Sequence, residues 1–181
     1  MIESAEGTHQ VVIGVGSNVR PVQPLKLAVQ ALTDHYGKLG LSSVYQNPPV
    51  GFDGDDFLNM VLAFETQDTP EQVLTVLESI HQRVGRVAGQ HKFGPRTLDL
   101  DLLLFGALVD PQRRVPRADV LRYSFVLGPL AELAPELRHP VTGVTMAEAW
   151  GRYRGPGRLR NLGALAGLNG MEITAGIASQ R

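Results

Sequence analysis

The sequence predicts an α+β fold in which helices pack on a mainly antiparallel sheet. Three observations carry this. Apolar runs of strand length fall at 11–18, 57–65 and 98–105. Two stretches with apolar residues at 3- and 4-residue spacing, opening at Pro24 and at Pro70, lie between them. Gly, Pro and Asn punctuate nearly every junction.

Taken in order, Val11-Val12-Ile13-Gly14-Val15-Gly16-Ser17-Asn18 reads as a buried strand closed by a turn. Pro24 suits the first turn of a helix, whose stripe is Leu25, Ala28, Val29 and Leu32 and whose stop is Gly37. Leu39 to Gln46 alternates loosely and is read as one strand, ended by Asn47-Pro48-Pro49 because prolines cannot continue a central ladder. Val50 to Asp56, rich in Gly and Asp, is a loop, and Phe57 to Glu65 returns as a strand. Thr69-Pro70-Glu71-Gln72 is a helix start in which Thr69 and Gln72 can form a capping box. Val73, Leu77, Ile80 and Val84 mark its buried stripe, and Gly85 ends it. Leu98 to Phe105 is the last strand of the set. The order strand, helix, strand, strand, helix, strand is the βαββαβ arrangement of a ferredoxin-like sheet with helices on one face.

The C-terminal third is read more coarsely. Residues 118–124 are irregular, 129–133 form one helical turn, and Met146 to Tyr153 is a short helix. Residues 1–161 are expected to form a single domain, with 162–181 a loosely attached tail.

The chain of 181 residues suffices for one domain with a proper core. Its net charge of -1 gives no reason to expect nucleic acid or an anionic membrane as partner. Any anion site must be built from local Arg and Lys. The absence of cysteine excludes disulfides, thiolate catalysis and Cys-based zinc sites. The acidic start at Met1–Glu6 does not read as a secretory signal, so none is expected, and no run approaches the ~18–20 apolar residues that span a bilayer. A cytoplasmic location is expected, and a monomer.

Leu98-Asp99-Leu100-Asp101-Leu102 is the most informative segment. Alternation along a strand puts Asp99 and Asp101 on one face and the leucines on the other. Adjacent carboxylates repel, and hard divalent cations with oxygen ligands relieve that repulsion. Two metals at such a pair can clamp both sides of a phosphate displacement. A solvated strand end or an ion pair with Arg96 is the plainer reading. Just upstream, however, a loop with Gly85, Gly89, Gly94 and Pro95 carries Arg86, His91, Lys92 and Arg96. A basic loop beside a metal-type pair fits a polyphosphate site. Gly14-x-Gly16 matches no nucleotide fingerprint and reads as a tight strand-to-turn junction. The five histidines are scattered and read as surface or structural.

Gly94-Pro95-Arg96-Thr97-Leu98-Asp99-Leu100-Asp101, running on to Leu104-Phe105-Gly106, resembles the signature of 6-hydroxymethyl-7,8-dihydropterin pyrophosphokinases. Gly16-Ser17-Asn18, Ser42-Ser43-Val44-Tyr45, Pro48-Pro49-Val50-Gly51, Phe57-Leu58-Asn59, Val115-Pro116, Phe125, Pro129-Leu130 and Ala134-Pro135-Glu136-Leu137 follow that family in order, over roughly residues 10–160. The resemblance implies a transferase of folate biosynthesis that moves pyrophosphate from ATP to the pterin hydroxymethyl group, releasing AMP. It implies two Mg²⁺ ions on Asp99 and Asp101, with Arg86 and Arg96 as catalytic cations. Arg86, Lys92 and Arg96 are the implied ATP contacts, and Arg117, with Arg122 as an auxiliary, is expected to supply the charge of family contacts that this chain lacks. The pterin would meet Asn59, Asn47, Pro48 and Val50, with Phe57 and Phe125 stacking on its faces and Phe93 in the catalytic loop.

The chain also departs from the pattern. Arg117 stands where the family has His after Val-Pro, and Tyr123 where it has Arg. Ala88 replaces a second loop cation, Phe93 the usual Trp, and Asn47 a common Thr. The metal and pterin elements are kept, and several nucleotide contacts are changed. Two other outcomes stay open. One is a diverged paralogue that holds a pterin without turning over ATP, and the other is an enzyme for a different pterin or phosphate donor.

Overall fold

A computed structural model describes residues 7–84 and 98–168. Among these, six strands form one sheet: β1 (His9–Ser17), β2 (Gly40–Leu41), β3 (Tyr45–Asn47), β4 (Phe57–Thr66), β5 (Asp99–Phe105) and β6 (Arg160–Asn161). The helices are α1 (Val22–Tyr36), α2 (Pro70–Val84), α3 (Asp119–Arg122), α4 (Ser124–Leu133) and α5 (Met146–Arg152). The strands run β5-β1-β4-β3-β6, with β2 also on β4, and each pairing is antiparallel.

The two long helices form as their patterns require. In α1 the stripe Leu25, Ala28, Leu32 is buried, with Val29 partly so. Gly37, at a φ of 77°, ends it by donating its N–H to Thr33 O at 2.8 Å. In α2, Thr69 N–H donates to Gln72 Oε1 at 2.8 Å, and Gln72 N–H donates to Thr69 Oγ1 at 3.3 Å. That reciprocal pair is the capping box.

Helices cover both faces of the sheet rather than one. Val11, Ile13 and Val15 of β1, with Leu98, Leu100 and Leu102, pack against α1 and α2. Val12, Val61, Leu103 and Leu104 pack against α3, α4 and α5. The alternating strand pattern offers apolar residues on both sides, so a second helical layer is needed to bury them. A bulge in β5 serves the second layer. Val12 pairs with Leu104 and Ile13 with Leu102, so Leu103 is the extra residue and joins Leu104 on the α4 side.

The C-terminal third therefore holds more structure than its sequence pattern predicts. Segment 118–124 contains α3, and the expected turn at 129–133 is the end of the ten-residue α4, which has Pro129 inside it. Val126 to Leu130 are all buried, so periodicity is lost and tertiary burial outweighs the Pro penalty. The expected strand 39–46 is split at Ser42. Its hydroxyl accepts the Val61 N–H at 2.9 Å, a bond a continuous ladder would make with main chain. Val44 pairs with the later chain instead, accepting from Leu162 N and donating to Gly163 O. That contact begins the docking of segment 162–168, whose Leu165 and Leu168 are buried in the α1–α2 core. The described part of the expected loose tail is thus attached, and 169–181 lie outside the described residues.

His139, buried before α5, accepts the Val141 and Thr142 N–H groups on Nδ1, each at 3.3 Å. Burial pulls its pKa below the usual 6.5. Below about pH 6.5 the unfolded chain therefore binds a proton that the folded chain resists. The contribution is complete above that pH and is lost as pH falls towards and through the folded value. Denaturant unfolding should show stability dropping between pH 7.5 and 5, and the drop should be smaller in His139→Asn, whose amide oxygen can replace Nδ1 as acceptor. Equal pH slopes in the two proteins would rule His139 out as a source.

Candidate active site

The functional face is set by the register of three strands. Gly16 of β1 lies between Asn59 of β4 and Asp99 of β5, and Gly14 lies between Val61 and Asp101. Directly paired residues share a face, so Asn59, Gly16 and Asp99 form one row and Val61, Gly14 and Asp101 the next. Both rows open into a cavity of about 750 Å³.

The glycines make its floor. A Cβ at Gly16 would meet Asn59 Oδ1 at 2.5 Å, and one at Gly14 would meet Leu103 Cδ1 at 3.3 Å. Gly14-x-Gly16 is therefore inside β1, not the strand-to-turn junction expected of it. Its function is clearance between the carboxylates and Asn59.

Asn59 donates from Nδ2 to Asn47 Oδ1 at 2.6 Å, and the buried Asn47 donates in turn to Pro48 O at 3.0 Å. This chain of amides fixes which end of Asn59 faces the floor. Val50, Phe57 and Phe125 also line the cavity, whereas Pro48 is exposed and does not. Phe52 meets Phe57 edge-on at 6.1 Å. Tyr123 stacks on Phe125, with ring centroids 5.0 Å apart and planes 13° from parallel. The Arg122 guanidinium lies 5.3 Å over the Tyr123 ring.

Arg117 reaches furthest towards the carboxylates. Its main-chain N–H donates to Leu103 O at 2.9 Å, which pins it beside β5. Its Nη1 lies 3.3 Å from Asp101 Oδ1, and its Nε donates to Asp119 Oδ2 at 3.1 Å. β5 is an end strand of the sheet, so the N–H groups on its outer edge need partners. Leu100, between the two aspartates, donates to Nε2 of buried His81 on α2 at 2.9 Å. His81 thus holds the acidic strand from the far side, and its proton is assigned to Nδ1.

Asp99, Asp101, Asn47, Val50, Phe57, Asn59, Arg117, Arg122 and Phe125 are brought to one cavity. Arg86, Lys92, Phe93 and Arg96 lie outside the described residues. Gly14, Gly16, Phe52, His81, Asp119 and Tyr123 are lining residues that sequence reasoning did not place there. For the glycines a signal existed. Their two-residue spacing matches that of Asp99-x-Asp101, as expected of neighbouring strands presenting the same face.

No group of three or more acidic or histidine side chains that could hold a metal occurs among the described residues. A pair of carboxylates still suits magnesium, which binds through one or two carboxylates and fills its remaining positions from phosphates and water. The open glycine floor leaves room for both. No helix among the described residues is long and apolar enough to cross a membrane.

Residues 12–135 match the profile of the 7,8-dihydro-6-hydroxymethylpterin-pyrophosphokinase family. The chain belongs to this family. A 2-amino-4-hydroxy-6-hydroxymethyldihydropteridine pyrophosphokinase of Pseudomonas aeruginosa is 39% identical over 73% of this chain and 85% of its own. One of the same description from Methylorubrum extorquens is 40% identical over 76% and 89%. Among solved structures, the HPPK-DHPS chain of Plasmodium falciparum superposes with a TM-score of 0.66 at 14% identity. That match takes in 83% of this chain but 45% of the longer one, and it speaks for the fold alone.

The geometry at Gly16 generates a test. In Gly16→Ala the new methyl must push Asn59 away and break its bond to Asn47, while the strand pairing survives. Affinity for 6-hydroxymethylpterin, followed by its fluorescence, should fall about tenfold or more, the scale of losing one or two well-placed hydrogen bonds. The thermal midpoint should move little. Unchanged pterin affinity would remove Asn59 from recognition.

Proposed function

We propose that the chain transfers the pyrophosphoryl group of ATP to the hydroxymethyl oxygen of 6-hydroxymethyl-7,8-dihydropterin, giving AMP, as a step of folate biosynthesis. The observation that carries the reading is the pair of rows on the sheet. An amide fit for a heterocycle edge stands on one side of the glycine floor, and two carboxylates stand on the other. The relatives from Pseudomonas aeruginosa and Methylorubrum extorquens are named as pyrophosphokinases of a 6-hydroxymethyldihydropteridine, in keeping with this reading. The strand order β5-β1-β4-β3 supports reading the sheet as ferredoxin-like.

In this mechanism Asn59, oriented by Asn47, hydrogen-bonds the polar edge of the pterin, and main-chain groups of Asn47 and Val50 complete that contact. Phe57 and Phe125 sandwich the flat ring. The pterin is then held with its hydroxymethyl arm towards Asp99 and Asp101. The hydroxyl oxygen bonds to the β-phosphorus, the bond from that phosphorus to the α–β bridging oxygen breaks, AMP departs, and the hydroxyl proton is lost to solvent. Asp99 and Asp101 would hold two Mg²⁺ ions, which neutralise phosphate charge as the bridging bond breaks. Arg86, Lys92 and Arg96 supply cationic contacts to the triphosphate, joined at the cavity by Arg117 and Arg122. The protein acts as a cytoplasmic monomer on these two small molecules.

A second reading has one observation in its favour. Arg117 stands against Asp101, one of the carboxylates that metal would need. A paralogue that kept the pterin pocket and lost ATP turnover would accept such a contact. Calorimetry of Mg·ATP binding with pterin present separates the two, since the paralogue would give no heat.

Asp99→Ala and Asp101→Ala should each reduce AMP release to background, because the donor loses its metal bridge. Pterin affinity without nucleotide should change little in both. Near-normal turnover in either variant would remove that residue from the metal site.

A further inference from the structure

We propose that Arg117 is an internal counter-ion that occupies Asp101 while the site is empty, and that metal binding displaces it onto the nucleotide's phosphates. The inference rests on the reading of Asp99 and Asp101 as metal ligands and concerns how that site is loaded.

Asp99 and Asp101 lie on one face of β5, one residue apart, with glycine opposite each on β1. Arg117 brings a full positive charge to this pair, with Nη1 3.3 Å from Asp101 Oδ1. It is held there from two sides, by its main-chain bond to Leu103 and by the Nε contact to Asp119.

Metal and guanidinium compete for the same carboxylate. A divalent ion at about 2.1 Å from a carboxylate oxygen would repel a guanidinium at hydrogen-bond distance from it. Loading the metal therefore drives Arg117 away from Asp101. Its main chain stays pinned beside β5, and Asp119 keeps the side chain within the cavity rather than in bulk solvent. A guanidinium freed there meets polyphosphate with the planar fork that suits it.

Two consequences follow, of opposite sign. Arg117 lowers the affinity for metal alone, and it raises the affinity for metal and nucleotide together. The site thus favours the complex over the bare ion, which is a positive coupling between metal and phosphate at Asp101.

The test uses the full chain, Mn²⁺ as the metal and a non-hydrolysable ATP analogue. Free Mn²⁺ is read by electron paramagnetic resonance, without and then with the analogue. Arg117→Gln keeps the size and donor character of the side chain and removes the charge. It should bind Mn²⁺ alone about tenfold more tightly than wild type, the scale of one charge acting at a partly exposed site. It should bind the Mn²⁺–analogue complex about tenfold less tightly. Arg117→Lys, which keeps the charge and loses the fork, should match wild type for Mn²⁺ alone and fall between wild type and Arg117→Gln for the complex. The inference is overturned if Arg117→Gln and wild type take up Mn²⁺ alone equally, or if both affinities of Arg117→Gln move in the same direction. Asp101→Asn separates this from a deeper failure. If that variant binds the Mn²⁺–analogue complex as wild type does, Asp101 is not a ligand, and the reading beneath the inference falls with it.

Discussion

The antiparallel register of β4, β1 and β5 is the constraint from which the rest of the site follows. It aligns Asn59 with Asp99 across Gly16, and Val61 with Asp101 across Gly14. A slip of one residue would turn both aspartates into the α1–α2 core and bring Leu98, Leu100 and Leu102 into the cavity. That error would bury two charges and expose three leucines, so core and site enforce the same pairing. The apolar residues that hold the register, Val11, Ile13 and Val15, alternate with the glycines on β1 itself. Packing below the sheet and clearance above it are written into one strand.

The second helical layer is where a sheet of this kind becomes a site. α3 and α4 cover the face of the sheet that carries the acidic pair, but their apolar contacts concentrate at Val12, Val61, Leu103 and Leu104. The bulge at Leu103 gathers two consecutive leucines under α4, so the cover ends where Asp101 begins. Beyond it, the segment from Arg117 to Phe125 brings Arg117, Arg122 and one set of aromatic residues to the cavity. Had helices occupied only the α1–α2 face, the acidic pair would stand on an open sheet with no walls to select a flat ligand.

The sequence carried the long strands β1, β4 and β5, the capping box at Thr69 and Gln72 and the shared face of Asp99 and Asp101, because each is a local signal. Period-two alternation and a cap need no knowledge of distant residues. The cover over the second face was less legible. In α4 the buried run Val126 to Leu130 has no polar stripe, so the helical period is hidden, and Pro129 reads as a breaker. The split at Ser42 depends on a hydroxyl replacing a main-chain group and on residues 162–163 arriving at Val44 from more than a hundred positions away. Burial of Leu165 and Leu168 is hidden by the same distance. His81 could not be found at all from its helix, since its partner is the outer N–H of an edge strand.

Arg117 shows how a departure from a family pattern acquires meaning only from geometry. As a sequence feature, arginine in place of histidine adds reach and permanent charge near a phosphate site. In the structure the nearest anions to that charge are Asp101 and Asp119, both belonging to the protein. A guanidinium carries its charge across the range in which proteins are folded. A histidine there would be charged for only part of that range. The exchange therefore changes the empty state of the site as much as the loaded one. With arginine, the carboxylate pair has a standing partner before any ligand arrives, and a ligand must offer Asp101 more than Arg117 does. A metal carrying a polyphosphate would meet that condition twice, once through an ion that took the guanidinium's place at Asp101 and once through a phosphate that received it.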